Sequence, residues 1–333
     1  MKKFTSIVLI VAILSIVCVG VLCGCQPQDE NTVKLIEVTH SVFYAPLYVA
    51  IDGGYFEEEG LKIELSNGGG ADKCMTSIVS GQSDIGLMGP EAAIYIYNEG
   101  RTDYPKIFAQ LTKKDGSFLM ARSADDNFTW DKIAGKEVIG GRKGGVPAMA
   151  LEYGIKKAGL VKGETYTMNY DVQYDLIGAA FESGTGDFCT MFEPAASNMQ
   201  KAGMGYIVAS VGEQSGNMPF TAFMATQSYI NDNPEKMEKF TRALIKAMDF
   251  VNTHSAKEIA EVLAPSFTGT DLDTLTNSIQ AYKDIDAYCS TPIMEKADFE
   301  LLQDVIIDAG VMTKRADFDK LFDASIANAI LKK

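Results

Sequence analysis

Apolar and polar side chains alternate along Val33-Lys34-Leu35-Ile36-Glu37-Val38, the pattern of a strand with one face in a core. Phe43 and Tyr44 follow, and then Pro46, which can open a short helix over 47–52 that Gly53-Gly54 ends. A second run, Leu61-Lys62-Ile63-Glu64-Leu65, predicts the return strand. Strand, aromatic loop, helix and strand make half of an open α/β sheet. Ligands bind such sheets at the carboxyl ends of their strands, where residues 41–44 fall.

The same alternation continues. Asn67-Gly68-Gly69-Gly70 precedes a helix over 71–79, followed by a strand at 83–88, a helix at 91–97, and strands at 106–111 and 117–122. From Trp130 the pattern restarts: a strand at 136–140, a glycine-rich loop at 141–145 and a helix over 147–158. Further strands are predicted at 166–170, 187–191 and 206–211, with helices at 174–182 and from Glu193-Pro194. The last third reads as helical. Behind Asn233-Pro234, which caps the first of these helices, Met237, Phe240, Leu244, Ala247 and Phe250 recur at helical spacing. Shorter helices are predicted at 256–263, 271–282, 296–309 and 317–331. No solenoid-length repeat appears. Two α/β units, the second inserted into the first, with a helical tail, predict a two-lobed clamshell. Residues 33–118 and 225–333 would form lobe I and 119–224 lobe II, with crossings near 117–123 and 220–226. Such a body grasps a small molecule by closing on it.

The beginning of the chain stands apart from this pattern. Lys2 and Lys3 precede an uncharged apolar run over 4–22, and Leu22-Cys23-Gly24-Cys25 ends it. The arrangement resembles a bacterial lipoprotein signal, with residues 1–24 removed and Cys25 acylated. The alternative is an uncleaved membrane anchor, since the run is nearly long enough to span. Residues 25–32 would be a polar tether, and the body would lie outside the cytoplasm on either reading.

The formal charge is −14, and the two leader lysines offset it, so the remainder is more acidic still. That balance, with no basic run, argues against a nucleic-acid partner. Beyond the leader and Cys25 the cysteines are Cys74, Cys189 and Cys289, at no metal-ligand spacing, and three thiols cannot all pair. Burial as small apolar groups accounts for Cys74 and Cys189. With only His40 and His254 in the chain, neither a metal site nor a cofactor is implied.

Ala45-Pro46-Leu47-Tyr48-Val49-Ala50 and then Gly54-Tyr55-Phe56-Glu57-Glu58-Glu59-Gly60-Leu61 resemble the opening of periplasmic-type solute-binding proteins of ABC importers. The branch is the one that serves nitrate, alkanesulfonates, taurine and thiamine-pyrimidine precursors, and it also holds the fungal thiamine-pyrimidine synthases. Ser80-Gly81-Gln82-Ser83-Asp84-Ile85-Gly86, the stretch from Asp187 to Glu193-Pro194, and Asn233-Pro234-Glu235-Lys236 carry the likeness onward. The resemblance runs from Val33 to the C-terminus. It implies a type II binding-protein fold and a lipid-anchored, monomeric protein that delivers a solute to a permease and its ATPase. Exposed acids such as Glu57-Glu58-Glu59, a solvated face on their own, would then dock on the transporter.

Several residues stand where such a cleft would be. Phe43 and Tyr44 can stack on a planar ligand or wall the pocket. Gly69 and Gly70 in lobe I, and Gly144 and Gly145 in lobe II, lie before helices and can offer backbone N–H groups. Arg142 can pair with a phosphate, sulfonate or carboxylate. Glu91 and Glu193 each end a strand and open a helix, so each is either an acceptor for a ligand amine or a carboxylate serving the helix start. Pyrimidine-binding relatives resemble this chain in having Pro-Glu at Pro90-Glu91. Asp115 either meets ligand or turns the chain with Gly116. The acids and aromatics point to an amine-bearing pyrimidine, and the glycine loops and Arg142 to a nitrate-, sulfonate- or taurine-type anion. No catalytic residue is implied. A synthase-like enzyme on the same fold would need a cysteine-rich cluster, and Phe188-Cys189-Thr190 offers a single cysteine.

Overall fold

A computed structural model describes residues 31–332 of the chain. The expected signal peptide, Cys25 and most of the tether lie outside the described residues. A compact unit begins at Val33.

Among the described residues, ten strands form two five-stranded sheets. The first runs β2 (Lys62–Asn67), β1 (Thr32–Glu37), β3 (Ile85–Met88), β10 (Thr221–Thr226), β4 (Pro105–Thr112). β1 and β3 are parallel, with Leu35 opposite Ile85 and Glu37 opposite Leu87. β10 is antiparallel to both β3 and β4. The second sheet runs β7 (Thr167–Asn169), β6 (Glu137–Ile139), β8 (Phe188–Met191), β5 (Phe118–Ala121), β9 (Tyr206–Ser210). There β6 is parallel to β7 and β8, and β5 is antiparallel to β8 and β9. Each sheet thus takes its antiparallel strand from the chain that has just crossed over.

The crossings fall earlier than expected. The stretch 220–226, expected as a passage between lobes, instead holds β10, whose backbone groups pair with two strands of the first sheet. The boundary at 224/225 therefore moves ahead of Thr221. An apolar run such as Ala222-Phe223-Met224-Ala225 reads as a strand in either sheet, and only pairing decides which. The actual passages, 113–117 and 216–220, lie side by side. Met218 N–H donates to the Lys113 carbonyl (3.0 Å) and Phe220 N–H to that of Thr112 (3.1 Å).

Helices that flank the sheets include α1 (Ala45–Asp52), α2 (Ala71–Val79), α3 (Glu91–Asn98), α4 (Val146–Lys157), α5 (Ala195–Lys201), α6 (Pro234–Thr253), α7 (Leu272–Asp284) and α8 (Lys296–Asp308). The apolar stripe of α6 is core, as its spacing predicts: Phe240 meets Phe56 at 4.9 Å and Phe223 at 5.3 Å between ring centres. Asn233 does not cap α6 with its side chain, which donates back to the Tyr229 carbonyl instead. The helix expected over 317–331 is broken into Phe318–Leu321 and Ser325–Leu331. Its break is tied to β4, where Asp323 N–H donates to the Ile107 carbonyl (2.9 Å). A tertiary bond of this kind overrides helical periodicity. The tail also braces the second sheet: Tyr282 of α7 accepts from Glu193 N–H (2.8 Å), and Lys156 of α4 pairs with Asp308 of α8.

Candidate functional site

The carboxyl ends of the parallel strands in both sheets face a cavity of about 430 Å³. This volume is in the range of small-molecule sites.

In lobe I, Ser41 Oγ accepts from Phe43 N–H (3.2 Å) and holds a tight turn over Val42–Tyr44 just past β1. The turn presents Phe43 and Tyr44 to the cavity. Phe43 also anchors a buried cluster, with ring centres 5.0 Å from Tyr282, 5.4 Å from Phe192 and 5.6 Å from Phe220. Gly69 and Gly70 line the wall as expected, but Gly69 N–H already donates to Asn67 Oδ1 (2.8 Å).

Glu91, the first residue of α3, also lines the cavity. It is 3% exposed, and its Oε2 has no hydrogen-bond partner. Burial pushes its carboxyl up to about 7, against the lowering effects of local backbone N–H groups, of Arg142 and of Val146 N–H across the cleft. A buried acceptor without a donor carries a desolvation cost that a ligand N–H or O–H would relieve.

In lobe II, Gly141, Arg142 and Gly145 line the opposite wall with the first turn of α4. Gly145 N–H is engaged by the Arg142 carbonyl (3.2 Å). The Arg142 guanidinium, half exposed, stands 3.7 Å from Asp72 of lobe I. Gly144 does not line the cavity. Its positive φ turns it outward beside Val311, and its carbonyl accepts from Tyr95 OH of lobe I (3.1 Å). Glu193 is likewise absent from the wall. Its carboxylate accepts from Ser197 N–H (3.0 Å) and Ser197 Oγ (2.8 Å), serving the start of α5. Asp115 is fully buried in the first passage between lobes, where Oδ1 accepts from Ser117 N–H (2.6 Å).

The largest part of the site missing from the sequence reading is residues 170–175, which follow β7 and supply Tyr170, Asp171, Gln173 and Tyr174 to the wall. The carboxyl-end rule that singles out 41–44 applies equally to β7. Thr190, Phe192 and Thr221 complete the lining near the passages.

His40 lies outside the lining. Its ring bonds the Ser266 carbonyl (2.7 Å) and Tyr48 OH (2.8 Å), and it stacks on Phe267. Cys74, Cys189 and Cys289 are buried free thiols, and burial pushes each up to about 12, which makes them inert. Among the described residues, no group of three or more His, Cys, Asp or Glu is placed to hold a metal ion. Nor, among them, is any helix long and apolar enough to cross a membrane.

The chain is 41% identical over 324 residues to YtlA of Bacillus subtilis (strain 168), named as a candidate binding protein, covering 95% of this chain and 97% of that one. It is 24% identical over 231 residues, 66% of each chain, to the 4-amino-5-hydroxymethyl-2-methylpyrimidine phosphate synthase of Aspergillus parasiticus. The alkanesulfonate-binding protein SsuA of Xanthomonas axonopodis pv. citri, solved with MOPS, superposes with a TM-score of 0.71 at 15% identity, covering 89% of this chain and 99% of that one. At that identity the likeness establishes the fold, a two-lobed periplasmic-binding-protein architecture. The profile of the NMT1-like family matches residues 28–264, and the chain belongs to that family.

Proposed function

We propose that this protein is the solute-binding component of an ABC importer, exported and held at the outer face of the membrane by a lipid on Cys25, and that its ligand is a planar, amine-bearing heterocycle of the aminopyrimidine class. The importer part is supported by the family, by the name given to the Bacillus relative and by the leader ending at Cys25. The ligand class rests on one observation: Glu91 is a buried carboxyl with a free oxygen in a cavity walled by Tyr44, Phe43 and Tyr174. Such a wall stacks on a flat ring while the carboxyl accepts from its amino group. The synthase named among the relatives handles an aminopyrimidine, which fits the same wall. A nitrate or sulfonate would instead meet a carboxylate, and the N–H groups of Gly69 and Gly145 already have acceptors.

Capture by closure requires no covalent chemistry. The enzymatic alternative has little to work with, because Cys189 is buried and inert and His40 is engaged away from the cavity. Calorimetric titration of the purified protein with 4-aminopyrimidines, taurine, alkanesulfonates and nitrate tests the ligand class. Binding confined to the aminopyrimidines, and lost in Glu91→Ala, is the expected result. Binding of the anions alone would overturn it.

A further inference from the structure

Helix α4 begins without the groups that usually serve a helix start. Its N-cap is Gly145, no side chain caps it, and its first turn holds no acid. Pro147 has no N–H, and the N–H groups of Gly145 and Met149 donate to the Arg142 and Gly145 carbonyls. The N–H groups of Val146 and Ala148 and the positive end of a 12-residue helix dipole are left at the cavity wall, with Arg142 beside them. Alone, this end of lobe II has the makings of an oxyanion receptor. It is not alone. Glu91, from the other lobe, carries its buried carboxyl to this place and feels both Arg142 and the N–H of Val146. Asp72, also of lobe I, faces the same guanidinium at 3.7 Å.

We infer that Glu91 is a built-in counter-anion: the carboxylate of lobe I serves the uncapped start of α4 and Arg142, and so bars free oxyanions from a receptor that would otherwise take them. This deepens the proposed function, and rests on its placement of Glu91 in the ligand cavity, but makes a separate claim. An amine-bearing ligand can share the carboxylate through its unpartnered Oε2. A nitrate or sulfonate must either displace a negative charge or lie beside it. The chain has the fold of sulfonate binders, and one side chain turns its selectivity away from them.

The inference predicts that neutralising Glu91 uncovers anion binding. Methanesulfonate and nitrate would be titrated calorimetrically, in a sulfonate-free chloride buffer, into wild type, Glu91→Gln and the double variant Glu91→Gln/Arg142→Gln. At pH 8.5, wild type should not bind. Glu91→Gln should gain methanesulfonate affinity by about tenfold or more, one charge contact's worth, and the double variant should lose the gain. A second measurement does not depend on the variant folding. Wild type should take methanesulfonate at pH 5.5 and release it at pH 8.5, because protonation of the carboxyl, which titrates near 7, removes the same charge. Other charged or titratable groups face this end of the cavity: Tyr44, Asp72, Lys73 and Tyr95 from lobe I, and Arg142, Asp171, Tyr174 and Asp175 from lobe II. A pH slope that persists in Glu91→Gln belongs to one of these and overturns the inference. So does wild-type binding of methanesulfonate at pH 8.5 that equals the variant's. If Glu91→Gln loses aminopyrimidine and gains no anion, the counter-anion fails while the proposed ligand class stands. If it gains anion and wild type binds no aminopyrimidine, the reverse holds.

Discussion

Glu91 Oε2 lies over the α-carbon of Gly89, in space that a side chain at 89 would fill. The backbone of Gly89 is in a region open to any L-residue, so the glycine is there for room and not for conformation. Gly89→Ala should therefore push the end of a flexible side chain off its place and disturb little else. Stability is expected to change by less than about 1 kcal/mol, since the glutamate can swing to another rotamer. Ligand affinity is expected to fall about tenfold, because the acceptor has moved. Parallel urea melts and ligand titrations would read the two effects separately. A large loss of stability with affinity intact would mean that Gly89 serves the fold.

Gly116 makes the contrasting case. A Cβ there would strike three carbons of the Phe43 ring, and that ring is hemmed in by Phe192, Phe220 and Tyr282. No free rotamer is available to relieve it. Gly116→Ala should cost about 1–3 kcal/mol, the usual penalty for overfilling a packed core. It should also weaken ligand binding, since Phe43 walls the cavity. Denaturant melts at constant m-value would check the first expectation.

These two glycines mark what was legible in the sequence. The alternation of apolar residues placed most of the strands and helices, and the carboxyl-end rule put Phe43, Tyr44 and Glu91 at the cleft, because periodicity and strand direction are local properties. Which sheet β10 joins is settled by backbone pairing between residues more than a hundred positions apart, such as Phe223 with Ala109, and no local pattern carries that. Glu193 and Glu91 look alike in sequence, each at a strand end before a helix. They diverge because Ser197 offers Glu193 a hydroxyl and an N–H one turn on, whereas Glu91 Oε2 meets no such donor. Gly144 departs from its expected place for a similar reason: the 140–145 loop folds so that Gly145 lines the cavity and Gly144 faces Val311.

Asp115 should make the fold sensitive to pH. It is fully buried in the passage between lobes, with Oδ2 unpartnered, and burial pushes its carboxyl up to about 7 despite the bond from Ser117. The nearby cations turn elsewhere, Lys113 to Asp286 and Lys114 to the Ile285 carbonyl. The folded protein therefore holds this proton more tightly than the unfolded chain does. Its contribution is most favourable below the unfolded value near 4, declines as pH rises to about 7 and is level above that. The span corresponds to an upper bound of roughly 4 kcal/mol. Glu91 shifts in the same direction and adds to the slope. Asp115→Asn keeps an acceptor for Ser117 N–H and removes the titration. Urea melts from pH 4.5 to 8 should show wild type losing stability across this window and the variant losing less, so that the variant is the more stable at pH 8. Parallel curves for the two proteins would contradict this assignment.

Tyr95 tests how the lobes stay together at the rim of the cavity. Its hydroxyl donates to the Gly144 carbonyl across the cleft at 3.1 Å, beside the looser Arg142–Asp72 pair at 3.7 Å. The pair is half exposed, and exposed ion pairs contribute little. The hydroxyl bond is the better placed of the two, worth about 1 kcal/mol net. Because this bond joins the lobes and not the ligand, losing it should favour opening while leaving the cavity wall unchanged. Tyr95→Phe is therefore expected to speed ligand release about fivefold with little change in association rate, since such substitutions act mainly on dissociation. Stopped-flow dissociation and association, measured on the same preparation, would separate the two. Arg142→Gln alone should have a smaller effect on release of a neutral ligand. Slower association with release unchanged would contradict a role for this hydroxyl in holding the lobes closed.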